Sequence, residues 1–120
     1  MTDSAYFFDT YAFFEIFKDN PNYESFRFVK VMTTIFNLAE MEWVLQREKR
    51  PYASSAIRNR AESLVDVTIN DLTLAMQLRL QNTKLSIPDC IGYNVAKRHK
   101  VKFLTGDKEF EGMENVEFVK

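Results

Sequence analysis

At 120 residues and 46% hydrophobic content, with three Gly and three Pro, the chain has enough apolar side chains to bury a core and too little loop composition to be disordered. Sixteen Lys and Arg against 17 Asp and Glu leave a net charge of −1, which excludes a global positive field that would draw the protein to nucleic acid or an acidic membrane. One cysteine, Cys90, excludes an internal disulfide and fits a reducing compartment.

No apolar run approaches the roughly 20 residues of a membrane span, and the opening Met1-Thr2-Asp3-Ser4 lacks the basic and apolar regions of a signal peptide. With no repeat and no Gly/Ser linker to divide the chain, the expectation is a cytoplasmic protein folded as one domain over residues 1–120.

Ala5-Tyr6-Phe7-Phe8 opens the chain as a continuous apolar run, the pattern of a strand buried on both faces of a parallel sheet. Residues 11–18 read as a helix that stops before the turn signal Asn20-Pro21-Asn22. Residues 26–32 look like a strand, and Thr33 or Thr34 can cap the apolar helix that follows. On a helical wheel Thr33, Asn37, Glu40, Val44 and Arg47 share its polar stripe.

Residues 51–64 read as a more solvated helix and residues 65–69 as a short strand, after which Asn70 or Asp71 caps a helix over 72–80. Pro88 sits in the first turn of a helix over 89–99, where its missing N–H costs nothing. A strand over 101–104, a helical turn over 107–110 and a last strand over 116–119 complete the pattern. Strands alternating with helices predict an α/β fold: a three-layer α/β/α sandwich around a mainly parallel sheet of about five strands.

Asp9, Asp89 and Asp107 each stand where a strand ends or a helix begins. Taken singly, each is explained by helix capping, since a carboxylate there accepts backbone N–H bonds. Glu40 has no such explanation: mid-helix among apolar neighbours, it needs a cation or hydrogen-bond donors to be buried. Open α/β sheets bind ligands at the strands' carboxyl ends, and carboxylates gathered there repel unless a divalent cation compensates. An all-oxygen donor set suits Mg²⁺ or Mn²⁺, and such a site supports phosphodiester hydrolysis.

Four stretches, Phe7-Phe8-Asp9-Thr10, Asn37-Leu38-Ala39-Glu40, Ile87-Pro88-Asp89-Cys90-Ile91-Gly92 and Phe103-Leu104-Thr105-Gly106-Asp107-Lys108-Glu109-Phe110, together resemble the four acidic motifs of PIN-domain nucleases. Their order and spacing are similar to those of the VapC type, the toxin component of prokaryotic toxin–antitoxin pairs. The resemblance implies a metal-dependent endoribonuclease acting on single-stranded or structured RNA, a small antitoxin partner and a homodimer. By position it implies that Asp9, Glu40, Asp89 and Asp107 bind Mg²⁺ or Mn²⁺ and that Thr10 and Thr105 orient carboxylates or metal waters. Glu42 is the alternative to Glu40, since an error in helix phase would exchange the two.

Two other readings compete. A phosphoacceptor receiver-like domain needs an acceptor Asp after a central strand, whereas Asp66 precedes its predicted strand and Asp71 is no better. A catalytically silent PIN fold that only binds RNA is opposed by the intact acids. Basic clusters at Lys97, Arg98, His99, Lys100 and Lys102 and at Arg47, Lys49 and Arg50 are explained by the helix dipole. His99 reads as a solvated terminal residue and Cys90 as a small core side chain. Tyr11, Phe13, Phe14 and Phe17 exceed what one buried helix stripe requires, which points to a partner surface.

Overall fold

The computed structural model describes residues 4–49 and 53–120. Its sheet has four strands, β1 (Ala5–Phe8), β2 (Lys30–Met32), β3 (Lys102–Thr105) and β4 (Val116–Phe118). They are arranged β2-β1-β3-β4, and every pair is parallel. Five α-helices accompany them: α1 (Thr10–Phe17), α2 (Ile35–Arg47), α3 (Ala53–Arg58), α4 (Ile69–Gln81) and α5 (Ile87–Arg98).

Alternation along the strands builds two cores. Phe7, Met32 and Phe103 turn to one face, beneath Ala75 and Met76 of α4 and Cys90, Ile91, Tyr93 and Val95 of α5. Phe8, Val31 and Leu104 turn to the other, beneath Ala12 and Phe13 of α1 and Leu38, Met41 and Leu45 of α2. Successive side chains point to opposite faces of a strand, so a strand apolar at every position requires helices on both sides. The predicted three-layer arrangement is therefore the one observed.

Most of the phenylalanines serve these cores. Phe103 stacks near Phe7 at 5.7 Å between ring centroids and meets Phe110 at 4.7 Å, and Tyr93 packs edge-on to Phe103 at 5.8 Å. Offset and edge contacts of this kind add about 0.5–1.5 kcal/mol beyond burial. They anchor the 3₁₀ turn Lys108–Phe110 beneath the end of β3.

Several sequence expectations change. Residues 65–69 do not add a fifth strand; pairing there is limited to one bridge between Thr33 and Leu64. Beyond it the backbone is taken by side chains: the Asp66 carbonyl accepts from Arg98 at 2.8 Å, and the Thr68 N–H donates to Asp71 at 2.8 Å. Thr68, rather than Asn70 or Asp71, is the N-cap of α4, with Asp71 completing a capping box.

The strand expected over 26–32 shrinks to β2, because Pro21–Phe26 forms a 3₁₀ helix capped by Asn20 and Phe28 stands 92% exposed. The helix expected over 51–64 is α3 followed by a 3₁₀ turn at Ala61–Ser63; Pro51 and Arg50 lie outside the described residues. His99 is the C-cap of α5 and half-buried, not solvated. Among the described residues no helix is long and apolar enough to cross a membrane.

Candidate active site and metal centre

β1 is followed in the chain by β2 on one side, and the chain then returns past β1 to β3 on the other. The winding direction reverses between β1 and β3, and open α/β sheets bind ligands at that point, beyond the strands' carboxyl ends. A cleft of about 420 Å³ lies there, lined by Asp9, Thr10, Tyr11, Phe14, Glu40, Trp43, Val44, Arg47, Asp89 and Asp107. Four acids far apart in the chain are thus neighbours in space.

Each is held by the local structure that its sequence encodes. Asp9 follows β1 directly and is the N-cap of α1, with Oδ1 accepting the Thr10 N–H at 2.8 Å. Its Oδ2 accepts from the Thr105 hydroxyl at the end of β3, at 2.7 Å. Asp89 is the acid of an α5 capping box in which Ser86 N–H donates to it at 2.9 Å and its own N–H donates to Ser86 Oγ at 3.1 Å. Asp107 caps the Lys108–Phe110 turn through the Glu109 N–H at 3.0 Å, and its own N–H donates to Thr105 Oγ1 at 3.1 Å.

Glu40 reaches the cleft from the middle of α2, accepting from the Thr10 hydroxyl at 3.0 Å and the Ser86 hydroxyl at 3.1 Å. Glu42 instead bonds Gln46 on the exposed side of the same helix. The helix phase therefore puts Glu40, not Glu42, among the cleft acids.

Capping and site-building coexist because a carboxylate offers about four lone-pair positions, so a backbone N–H can fix its direction and leave the rest free. Oxygens of Asp9, Glu40 and Asp89 lie within 4.8 Å of one another. Asp107 is outside that trio but lines the same cleft. Asp9 is only 3% exposed, and its pKa is driven well above the usual carboxylate range by burial and then by the Asp89 and Glu40 charges, against the bonds from Thr105 and Thr10.

Burial and the Asp89 charge raise Glu40 as well, despite its two hydroxyl donors. Asp89 is raised by burial and by Asp107, although the Ser86 bonds pull it down. Buried groups that repel one another are poorly placed to ionise without a counterion. The all-oxygen donor set, the mutual spacing and the raised pKa values together fit a hard divalent cation.

Close packing sets the cleft's geometry. A Cβ at Gly92 would lie 2.8 Å from Phe7 and 2.9 Å from Asn37 Nδ2, so glycine lets α5 approach β1 and α2. Asn37, 1% exposed, then donates to the Pro88 carbonyl at 3.2 Å and ties α2 to the first turn of α5. At Gly106 a Cβ would collide with the Val119 carbonyl and the Tyr11 ring. The Thr-Gly-Asp order is thus required by space as well as by chemistry.

Ser86, which bonds the cleft acids, and Arg47 and Trp43 in the cleft's lining have no site role from sequence. Ser86 links Glu40 and Asp89, and the Ser-x-x-Asp capping-box spacing is the signal that marks it. Arg47, explained from sequence by the helix dipole, also lines the cleft and lies over the Trp43 ring at 5.8 Å from its centroid. The other basic cluster is engaged elsewhere: Arg98 pairs with buried Asp71 at 3.0 Å and Lys97 with Glu114 at 3.2 Å.

Asp71 is 1% exposed and also accepts from Asn94 at 2.9 Å, leaving it no role as a phosphoacceptor. Cys90 is buried and its thiol is pushed up to about 11 by burial, as a core side chain would be. Of the α1 aromatics, Phe13 belongs to the core while Tyr11, Phe14 and Phe17 are half-buried.

No curated protein is a recognisable sequence match to the chain. Solved structures of the same fold include VapC20 of Mycobacterium tuberculosis, described as a sarcin-ricin loop cleaving toxin (TM-score 0.76, 17% identity, covering 96% of this chain and 99% of that one). A toxin–antitoxin complex from Klebsiella pneumoniae is similar at TM-score 0.71 and 17% identity, covering 92% and 94% of the two chains. VapBC2 from Rickettsia felis, bound to a DNA fragment from its promoter, matches at TM-score 0.70 and 15% identity over 97% and 99%. The model of the PIN domain matches residues 6–116, and the chain accordingly belongs to the PIN domain family.

Proposed function

We propose that the protein is a metal-dependent endoribonuclease, the toxin of a toxin–antitoxin pair, that hydrolyses RNA phosphodiesters at the Asp9–Glu40–Asp89 cleft. The observation that carries this reading is three carboxylates with oxygens within 4.8 Å of one another at the reversal point of a PIN sheet. Asp9, Glu40 and Asp89 would hold Mg²⁺ or Mn²⁺, and Asp107 would join them at the cleft's edge. When bound, the cation supplies charge neutralisation at the phosphoryl group and acidification of the attacking water.

The remaining residues orient this set. Thr105 fixes the Asp9 rotamer, Thr10 and Ser86 hold the two Glu40 oxygens, and groups in such positions tune ligand direction and basicity. The cleft offers no neutral nucleophile paired with a histidine, since His99 lies outside it, so hydrolysis by water is the consistent chemistry.

An antitoxin partner is supported by the fold's similarity to toxin–antitoxin complexes and by the half-buried aromatics of α1. RNA as substrate is supported by the similar fold of a sarcin-ricin loop cleaving toxin. A homodimer and a cytoplasmic location belong to the same reading.

Cleavage of defined RNAs by wild type and Asp9→Asn, with Mg²⁺ or Mn²⁺ and with chelator, tests it. Cleavage confined to wild type with divalent metal is expected. Equal cleavage by Asp9→Asn would overturn the assignment.

A further inference from the structure

The cleft lining joins two unlike sets of groups. Beside the acids Asp9, Glu40, Asp89 and Asp107, the lining includes Tyr11, Phe14, Trp43, Val44 and Arg47. Trp43 is 61% exposed, and a large ring left in water beside half-buried aromatics is not the isolated surface apolar residue that needs no explanation. One of its two faces meets the Arg47 guanidinium at 5.8 Å from the centroid, an attraction of about 0.5–1 kcal/mol at an exposed site.

Helix geometry orders these groups. Glu40, Trp43 and Arg47 are spaced by three and four residues along α2, so they share one face at intervals of one turn. Glu40 and Arg47 are then roughly 10 Å apart along the axis, with the ring between them. An acid site for one phosphate, a flat ring and a cation for another phosphate follow one another in the order that a nucleotide chain repeats its own groups. Single-stranded nucleic acid is bound in this way, by aromatic stacking beside backbone cations.

From this arrangement we infer that Trp43 stacks the base next to the scissile phosphate and that Arg47 pairs with the neighbouring phosphate. Such stacking requires an unpaired base, because a base within a duplex has no free face. Both residues position substrate; neither takes part in bond breaking. The inference rests on the nuclease reading above and adds to it two residues that position the RNA.

Trp43 is the one tryptophan in the chain, so its intrinsic fluorescence reports stacking directly. Titrate Asp9→Asn, which keeps Trp43 and Arg47, with a short oligouridylate, with the same strand carrying an abasic nucleotide, and with duplex RNA. Saturable quenching by the first alone is expected. Arg47→Ala should weaken binding and lower its salt dependence by about one phosphate contact, a slope change near 0.7 for a single strand.

In steady-state cleavage Trp43→Ala should lose about tenfold in kcat/KM, through KM rather than kcat, and Trp43→Phe should recover most of it. Wild-type KM in Trp43→Ala, or equal quenching by the abasic strand, would overturn the inference while leaving metal-dependent, Asp9-dependent cleavage intact. Emission that changes with protein concentration and not with RNA would also overturn it, assigning the ring to contact between copies.

Discussion

Asp9 and Asp71 are both almost fully buried carboxylates, 3% and 1% exposed, and their surroundings differ in sign. Around Asp71 stand Arg98, Asn94 and the Thr68 cap; although burial alone would raise its pKa, the bonds from Arg98 and Thr68 hold it below the usual value. Around Asp9 stand Asp89 and Glu40, and burial together with their charges lifts it. A buried charge with its counterion built in is compensated within the fold, and removing the partner alone is costly. One whose neighbours repel it is retained where something else supplies the counterion, and a functional site is the usual setting for that.

The sharpest way to break the comparison is to neutralise each acid. Asp9→Asn should cost more in RNA cleavage than the ~10²-fold typical of groups behind metal ligands, yet leave the melting temperature in chelator unchanged or higher, because it removes repulsion. Arg98→Ala should do the reverse, lowering stability by about 2–3 kcal/mol in chemical denaturation by leaving Asp71 without its cation, with cleavage by the folded fraction retained. A stability loss in Asp9→Asn as large as that in Arg98→Ala would erase the distinction.

Divalent metal is the next lever. At about 100 times its dissociation constant Mg²⁺ or Mn²⁺ should stabilise wild type by about 2.7 kcal/mol through mass action. In differential scanning calorimetry Arg98→Ala should gain as much as wild type and Asp9→Asn much less. Ser86→Ala should show a smaller effect, about tenfold weaker metal binding by isothermal titration, since Glu40 and Asp89 lose a shared partner but keep their charge.

Smallest is the pH response, opposite in sign for the two acids. Asp71 is depressed, so its stabilisation is present above the unfolded carboxylate value near 4 and is lost as pH falls through its lower folded value. Asp9 is raised, so in chelator its folded form is favoured at or below that unfolded value and destabilised as pH rises from there through the folded value. Melting curves of wild type and Asp9→Asn in chelator should therefore diverge on the alkaline side of pH 4, with the variant the flatter of the two.

The acids themselves were legible one by one. Ala5-Tyr6-Phe7-Phe8 ending in Asp9, and Leu104-Thr105-Gly106-Asp107, are local statements, an apolar strand followed by a cap, and strand and cap form where expected. Residues 65–69 read as a strand because β-branched alternation is the same for a strand and for an extended segment whose backbone bonds go to Arg98 and Asp71. The roles of Ser86 and Arg47 were hidden for a related reason. A capping serine and a C-terminal arginine already have complete local explanations; nothing in the segment of Ser86 shows that Glu40 is close, and nothing in α2 shows that the cleft extends to Arg47.

Composition, period and capping pattern alone determined the α/β class, the buried parallel strands and the helix starts that hold Asp9, Asp89 and Asp107. Those features depend on interactions within a few residues. Only the tertiary structure decided that Asp9, Glu40 and Asp89 converge, that Glu40 rather than Glu42 joins them, and that Arg47 and Trp43 line the same cleft. Convergence depends on the β2-β1-β3-β4 order and on the close approach permitted by Gly92 and Gly106, which joins segments up to a hundred residues apart and is set by packing rather than by any local preference.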